Sequence, residues 1–179
     1  EVKDAEDALK GARDIIAEQV SEDEQARNTV RFAFSRQAVI TAKVVKGKET
    51  EADKYRDYFE FSKPLKKCTS HQLLAIRRAE AEGLLKVSIS PDDEECVERL
   101  ERRFVRSNNA CGEQVAEAVQ DAYKRLLKSS IETEFAAQSK EQADEEAIRV
   151  FVQNLRQLLL ASPLGQKRVM GIDPGFRTG

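Results

Sequence analysis

Hydrophobic positions recur along most of this chain at helical rather than strand spacing. Ala5, Ala8, Leu9, Ala12, Ile15, Ile16 and Val20 step by threes and fours and predict an amphipathic helix over residues 4 to 20. Ser21-Glu22-Asp23-Glu24 has capping-box spacing, in which the serine hydroxyl and the glutamate three residues on satisfy free amides at a helix start. The helix it opens carries Ala26, Val30, Ala33 and Phe34 inward. "AVITAKVVKG", residues 38 to 47, is rich in β-branched side chains and reads equally as a short strand or a buried extended segment.

Residues 51 to 64 gather Tyr55, Tyr58, Phe59 and Phe61 around an expected short helix that Pro64 ends. Thr69-Ser70-His71-Gln72 is a second capping box. It opens a helix through Leu73, Leu74, Ile76 and Ala79 that stops at Gly83. Leu85, Val87 and Ile89 alternate with polar residues and predict a short strand over 84 to 89. Ser90 and Pro91 then supply an N-cap and a first-turn proline for a helix carrying Val97, Leu100 and Phe104.

Beyond the loop at 107 to 109, residues 113 to 164 contain no glycine, and proline only at 163. Val115, Ala118, Val119, Ala122 and Leu126 mark one apolar face, and Ile148, Phe151, Val152, Leu155, Leu158 and Leu159 another. Ser129-x-x-Glu132 and Ser139-x-x-Gln142 offer restart points, so two long helices with a break near 129 or 139 are expected. "SPLG" closes the helical part, and "KRVMGID" reads as an extended strand. The expectation is a mainly α fold: a multi-helical array with one or two short strands. Residues 1 to 165 form the helical region, with a sub-boundary near 107 to 112, and 166 to 179 open another domain.

Composition agrees with helix. Charged residues make up 35% of the chain, and glycine (8) and proline (4) are sparse. With a formal net charge of −2, no global field draws the chain to nucleic acid or membrane, so any such contact needs a local patch. No apolar run is long enough for a membrane span. Cys68, Cys96 and Cys111 are an odd number without C-x-x-C spacing, which suits a reducing cytoplasm better than a disulfide framework or a zinc site. The chain starts at Glu1 rather than a methionine and stops on the tail described below. It is expected to be a piece of something longer.

Local patches exist. Lys66-Lys67 and Arg77-Arg78 flank one helix, and Arg99, Arg102, Arg103 and Arg106 run along another, where a few phosphate contacts would give salt-sensitive binding. Glu80, Glu82, Glu98 and Glu101 are interleaved with these bases, the usual pattern of a solvated helix face. Tyr55, Tyr58 and Phe59 beside Lys54 and Arg56 could stack on bases or dock a partner, but aromatics this closely spaced are more often core. His71 stands alone and suits packing rather than catalysis. No metal-ligand pattern, cofactor motif or small-molecule site is expected.

The tail "VMGIDPGFRTG" is similar to the first catalytic strand of RNase H-like nucleases, with Asp173 in the position of the first metal-binding carboxylate. More of the chain resembles the bacterial Tex transcription accessory family. The resemblance runs through "ALKGARDIIAEQVSED", "AKVVKGKETEADKYRDYFEFSKPL", "SHQLLAIRRAEAEGLLKVSI" and "IETEFAAQSKEQADEEAIRVFVQNLRQLLLASPLGQKRVMGIDPGFRTG". It implies a helical region of a cytoplasmic, nucleic-acid-binding protein, leading into a YqgF-type domain that is generally not a working nuclease. In that family RNA or DNA is bound mainly through domains C-terminal to this region, and the transcription machinery is a further expected partner. Asp173 would be a vestigial carboxylate, and the chain itself no enzyme. The alternatives are a fragment of a metal-dependent RNase H-like nuclease, or a protein-interaction module presenting Tyr55, Tyr58 and Phe59.

Overall fold

The computed structural model describes residues 4 to 172. It is mainly α, and it divides into two compact units, Glu1–Ala147 and Ile148–Gly179. The first unit holds helices α1 (Ala5–Glu22), α2 (Glu24–Gln37), α3 (Ser70–Ala81), α4 (Asp93–Phe104) and α5 (Ala110–Asp121). It also holds α6 (Lys128–Leu159) as far as Ala147, and strands β1 (Val39–Val44), β2 (Glu60–Pro64) and β3 (Leu85–Ser90).

Helix ends follow short-range chemistry. The Asp4 carboxylate accepts from the Asp7 amide at 2.8 Å and starts α1. The cap of α2 is Asp23, whose carboxylate accepts from the Ala26 amide at 2.7 Å. The expected box at Ser21 does not form, and that hydroxyl instead donates to the Glu18 carbonyl. Thr69 and Gln72 do close their capping box at α3. Gly83, at φ +69°, takes the left-handed conformation that ends it. Asp92 caps α4, accepting from the amides of Glu94 and Glu95, so Ser90 and Pro91 lie before the helix rather than in its first turn. A carboxylate at the N-cap also meets the positive end of the helix dipole, which favours Asp23 and Asp92 over the neighbouring serines.

Among the described residues there are three strands rather than one or two. Residues 38 to 47 do supply a strand, β1, which lies centrally between two antiparallel neighbours in the order β2-β1-β3. Ala42 pairs with Phe61 on β2 and with Val87 on β3. The aromatic segment therefore differs from expectation. Only Asp53–Tyr58 is helical, as a 3₁₀ turn, and Glu60–Pro64 is a strand that Pro64 ends. Pairing with β1 decides the matter, since Phe61 is the one large apolar residue in β2. Ile40, Ala42, Leu85 and Ile89 are buried on one side of the sheet, and α3 packs against β3 through Leu73, Ile76 and Ala79.

The second half of the core is helical. α1 packs on α5, α4 on α5 and α2 on α4. Phe34, Leu100, Val119, Tyr123, Leu127 and Ile131 are among the fully buried side chains. From Ala110 to Leu159 the backbone is helical without the break expected near 129 or 139. The irregularity lies earlier, in a π-helical turn at Ala122–Leu127, where the Lys128 amide bonds to the Tyr123 carbonyl. The wide turn skips the buried series from Ala122 to Leu127, so Leu127 is buried where the spacing had pointed to Leu126.

In the second unit the remainder of α6 reaches Leu159, and residues 162 to 172 carry no strand. "KRVMGI" thus has no ladder partner among the described residues. Asp173 lies outside them.

Candidate nucleic-acid interface

The arginines of α4 are engaged with acids. Arg99 Nη2 lies 2.6 Å from Glu95 Oε1 and Arg102 Nη2 lies 2.5 Å from Glu98 Oε1, each four residues apart on the helix. Arg103 reaches across to the start of α2, 3.3 Å from Asp23 Oδ2, and also lies over the Phe104 ring at 5.5 Å. Arg106 is exposed in the loop after α4, with no ion pair among the described residues.

The bases around α3 diverge. Lys66 and Lys67 are exposed on a 3₁₀ turn, and Lys66 borders a cleft of about 390 Å³ between Phe34, Leu73 and Phe135. Arg77 is only 15% exposed; its Nη1 lies 2.6 Å from Glu80 Oε2, while its Nε and Nη2 are buried without a partner. Arg78 beside it is exposed. The structure therefore does not gather these eight arginines and lysines into one field.

The aromatics turn inward. Tyr55 is buried and its hydroxyl donates to Glu82 Oε1 at 3.1 Å, while Lys54 pairs with the same carboxylate at 2.9 Å. Tyr58 meets Phe61 edge-on at 5.6 Å, and both it and Phe59 pack against the core. Tyr55, Tyr58 and Phe59 build no exposed apolar patch. His71 is exposed in the first turn of α3.

Positive charge without acidic partners collects elsewhere, on the outer face of the sheet. Strand alternation turns Thr41 and Lys43 of β1 to the side opposite Ile40 and Ala42. Register sets Ser62 and Ser88 on either side of Thr41, and Glu60 and Lys86 on either side of Lys43. Lys46 follows in the turn after β1. Lys43, Lys46 and Lys86 make no ion pair among the described residues, and with Thr41, Val45 and Ser88 they line a concavity of about 670 Å³. The alternating run Val39 to Val45 could have signalled this face, but not which strands would flank it.

A second polar cluster sits where α4 meets the π turn. Asp93 Oδ1 accepts from Tyr123 at 2.7 Å and from Ser90 at 2.9 Å, while Oδ2 accepts from Lys128 at 2.5 Å. Burial opposes ionisation of Asp93, yet these donors outweigh it and hold its carboxyl below the ordinary value. Burial, followed by the hydrogen bond to Asp93, pushes the Tyr123 hydroxyl far above its usual range. With both oxygens engaged, Asp93 ties the start of α4 to the π turn through the buried Tyr123 and the half-buried Lys128. No group of His, Cys, Asp or Glu suited to a metal ion occurs among the described residues, and no described helix is long and apolar enough to cross a membrane.

Residues 1–151 match the family described as Tex central region-like. The chain is 38% identical over 181 residues to an uncharacterised protein of Bacillus subtilis, covering all of this chain and 25% of that one. It is 38% identical over 186 residues to the transcriptional accessory protein Tex of Neisseria gonorrhoeae, covering 99% of this chain and 24% of that protein. A human S1 RNA-binding domain-containing protein is 32% identical over 182 residues, matching 94% of this chain and 18% of its own length. The chain thus spans about a quarter of the length of these bacterial relatives.

Proposed function

The chain belongs to the Tex family, and from that premise we propose that it is a non-catalytic helical scaffold within a transcription accessory, nucleic-acid-associated protein. The observation that carries this reading is the family match across residues 1–151, joined to relatives named for transcription and for RNA binding. In this reading residues 1 to 165 hold neighbouring parts of the parent protein in a fixed relation, and 166 to 179 belong to a following YqgF-type, RNase H-like domain. Asp173 is then a vestigial carboxylate. The protein works in the cytoplasm.

Physical features support a scaffold. The first unit has a continuous buried core from Ala17 to Ala143, and both oxygens of its Asp93 carboxylate are engaged in hydrogen bonds that join helices. Ion pairs such as Arg31 with Glu134, at 2.9 Å, tie α2 to α6. The test is to incubate the chain with labelled single-stranded RNA and with a four-way DNA junction, each with Mg²⁺ or Mn²⁺. Intact substrates after prolonged incubation are the expected result. Metal-dependent cleavage that Asp173→Asn abolishes would replace the scaffold with a nuclease.

A further inference from the structure

We propose that the outer face of the three-stranded sheet binds the sugar–phosphate backbone of nucleic acid through Lys43, Lys46 and Lys86, with the hydroxyls of Thr41, Ser62 and Ser88 beside them. The inference rests on the nucleic-acid reading above and assigns it to a place.

Three features of the face point to a polyanion. Lys43 and Lys86 are directly opposed across β1 and β3. Like charges in that position destabilise a sheet, so the arrangement is unfavourable for folding and is relieved by a bound anion. Glu60 lies across from Lys43 on β2, yet no ion pair forms between them, and the concavity beside β3 includes no carboxylate in its lining. Arginines of α4, by contrast, are neutralised by Glu95, Glu98 and Asp23.

The hydroxyls supply the second half of phosphate recognition. Ser62 and Ser88 are exposed, and their side chains have no partner among the described residues; Thr41 donates only a long bond of 3.4 Å to the Ser88 carbonyl. Serine, threonine and lysine contacts to phosphate oxygens position a nucleic acid without reading its bases. No aromatic ring lies on this face, since its positions are Val39, Thr41, Lys43, Glu60, Ser62, Pro64, Lys86, Ser88 and Ser90. Base stacking of the kind used by sheet-type RNA binders is therefore absent, and binding is independent of sequence.

The experiment is a fluorescence-anisotropy titration of the chain with labelled single-stranded RNA and duplex DNA across a salt series. It compares the wild type with the triple variant Lys43→Gln, Lys46→Gln, Lys86→Gln and with a control, Arg102→Gln with Arg106→Gln. The triple variant is expected to lose about tenfold or more in affinity and to lower the slope of log affinity against log salt by about two. Its melting temperature should stay level or rise, because an opposed like-charged pair has been removed, and the control should bind as the wild type does.

Wild-type affinity in the triple variant overturns the assignment and leaves nucleic-acid binding standing on another surface. Equal losses in variant and control overturn it in favour of diffuse attraction. Binding to poly-glutamate as tight as to RNA overturns it in favour of an acidic protein partner. A wild type that binds neither nucleic acid at low salt overturns it too, while the cleavage assay decides separately whether the scaffold reading survives.

Discussion

Tyr123 and Lys128 are five residues apart, and both end on the carboxylate of Asp93, the hydroxyl at 2.7 Å from Oδ1 and the ammonium at 2.5 Å from Oδ2. In a regular α-helix, positions three or four apart stack on one face, whereas a π turn brings i and i+5 together. The backbone bond from the Lys128 amide to the Tyr123 carbonyl is that i+5 contact. The π turn at Ala122–Leu127 therefore serves to aim two donors at the first residue of α4.

Removing one partner at a time should show how the cluster is shared. Tyr123→Phe leaves Asp93 bonded to Lys128 and Ser90 and should cost about 0.5–1.5 kcal/mol in urea unfolding. Asp93→Ala leaves the Tyr123 hydroxyl buried without an acceptor and should cost more, about 1–3 kcal/mol. The double variant should fall short of the sum by at least ~0.5 kcal/mol. Strict additivity would mean that the two groups do not act on each other.

The same carboxylate predicts acid sensitivity. Its folded pKa is depressed, so the unfolded chain takes up a proton before the folded one does as pH falls. Its contribution is complete above about pH 5 and fades as the pH drops below about 4. The stability gap between wild type and Asp93→Asn, measured by urea titration, should shrink between pH 6 and pH 2. A gap that stayed constant would remove ionised Asp93 from the account.

Two glycines in helices should respond oppositely to alanine. A Cβ at Gly112 would fall 1.9 Å from the Ser107 carbonyl oxygen, backbone that cannot swing away. Gly112→Ala should therefore destabilise by at least ~1–3 kcal/mol. Gly11 in α1 has nothing within 4 Å of the same position, so Gly11→Ala should stabilise by about 0.5–1 kcal/mol. Thermal melts of the two variants moving in the same direction would contradict this.

The three thiols should separate by accessibility. Cys111 is exposed, Cys68 is partly covered and Cys96 is buried, and burial raises the thiols of the latter two. A thiol-reactive dye should label Cys111 first and Cys68 more slowly, and should reach Cys96 only on unfolding. Cys111→Ser should remove the fast phase, and its persistence would place Cys111 inside.

Legibility followed the range of the interactions. The Thr69 and Gln72 box and the stop at Gly83 depend on neighbours within a turn, and the residues announce them. Ser21 and Ser90 misled because an aspartate two residues on, Asp23 or Asp92, is the stronger cap. Strand β2 was hidden because "EFSKP" owes its state to β1, some twenty residues upstream. The π turn was invisible as well: a step of five between Ala122 and Leu127 mimics a change of helical face. The lysine face depends on register, which brings Lys43 and Lys86 side by side from positions 43 residues apart.

The sheet's two edges have been closed against growth. On β3 the outward amide of Ile89 donates to Glu132 Oε1 at 2.6 Å, so a helix side chain occupies a hydrogen-bonding position that another strand would need. On the other side β2 is five residues long, carries Glu60 and Lys63, and ends in Pro64, features that discourage edge-to-edge pairing. Such a sheet resists templating a neighbouring chain, a hazard for any protein with exposed strands, and a partner that approaches it meets side chains rather than a backbone ladder.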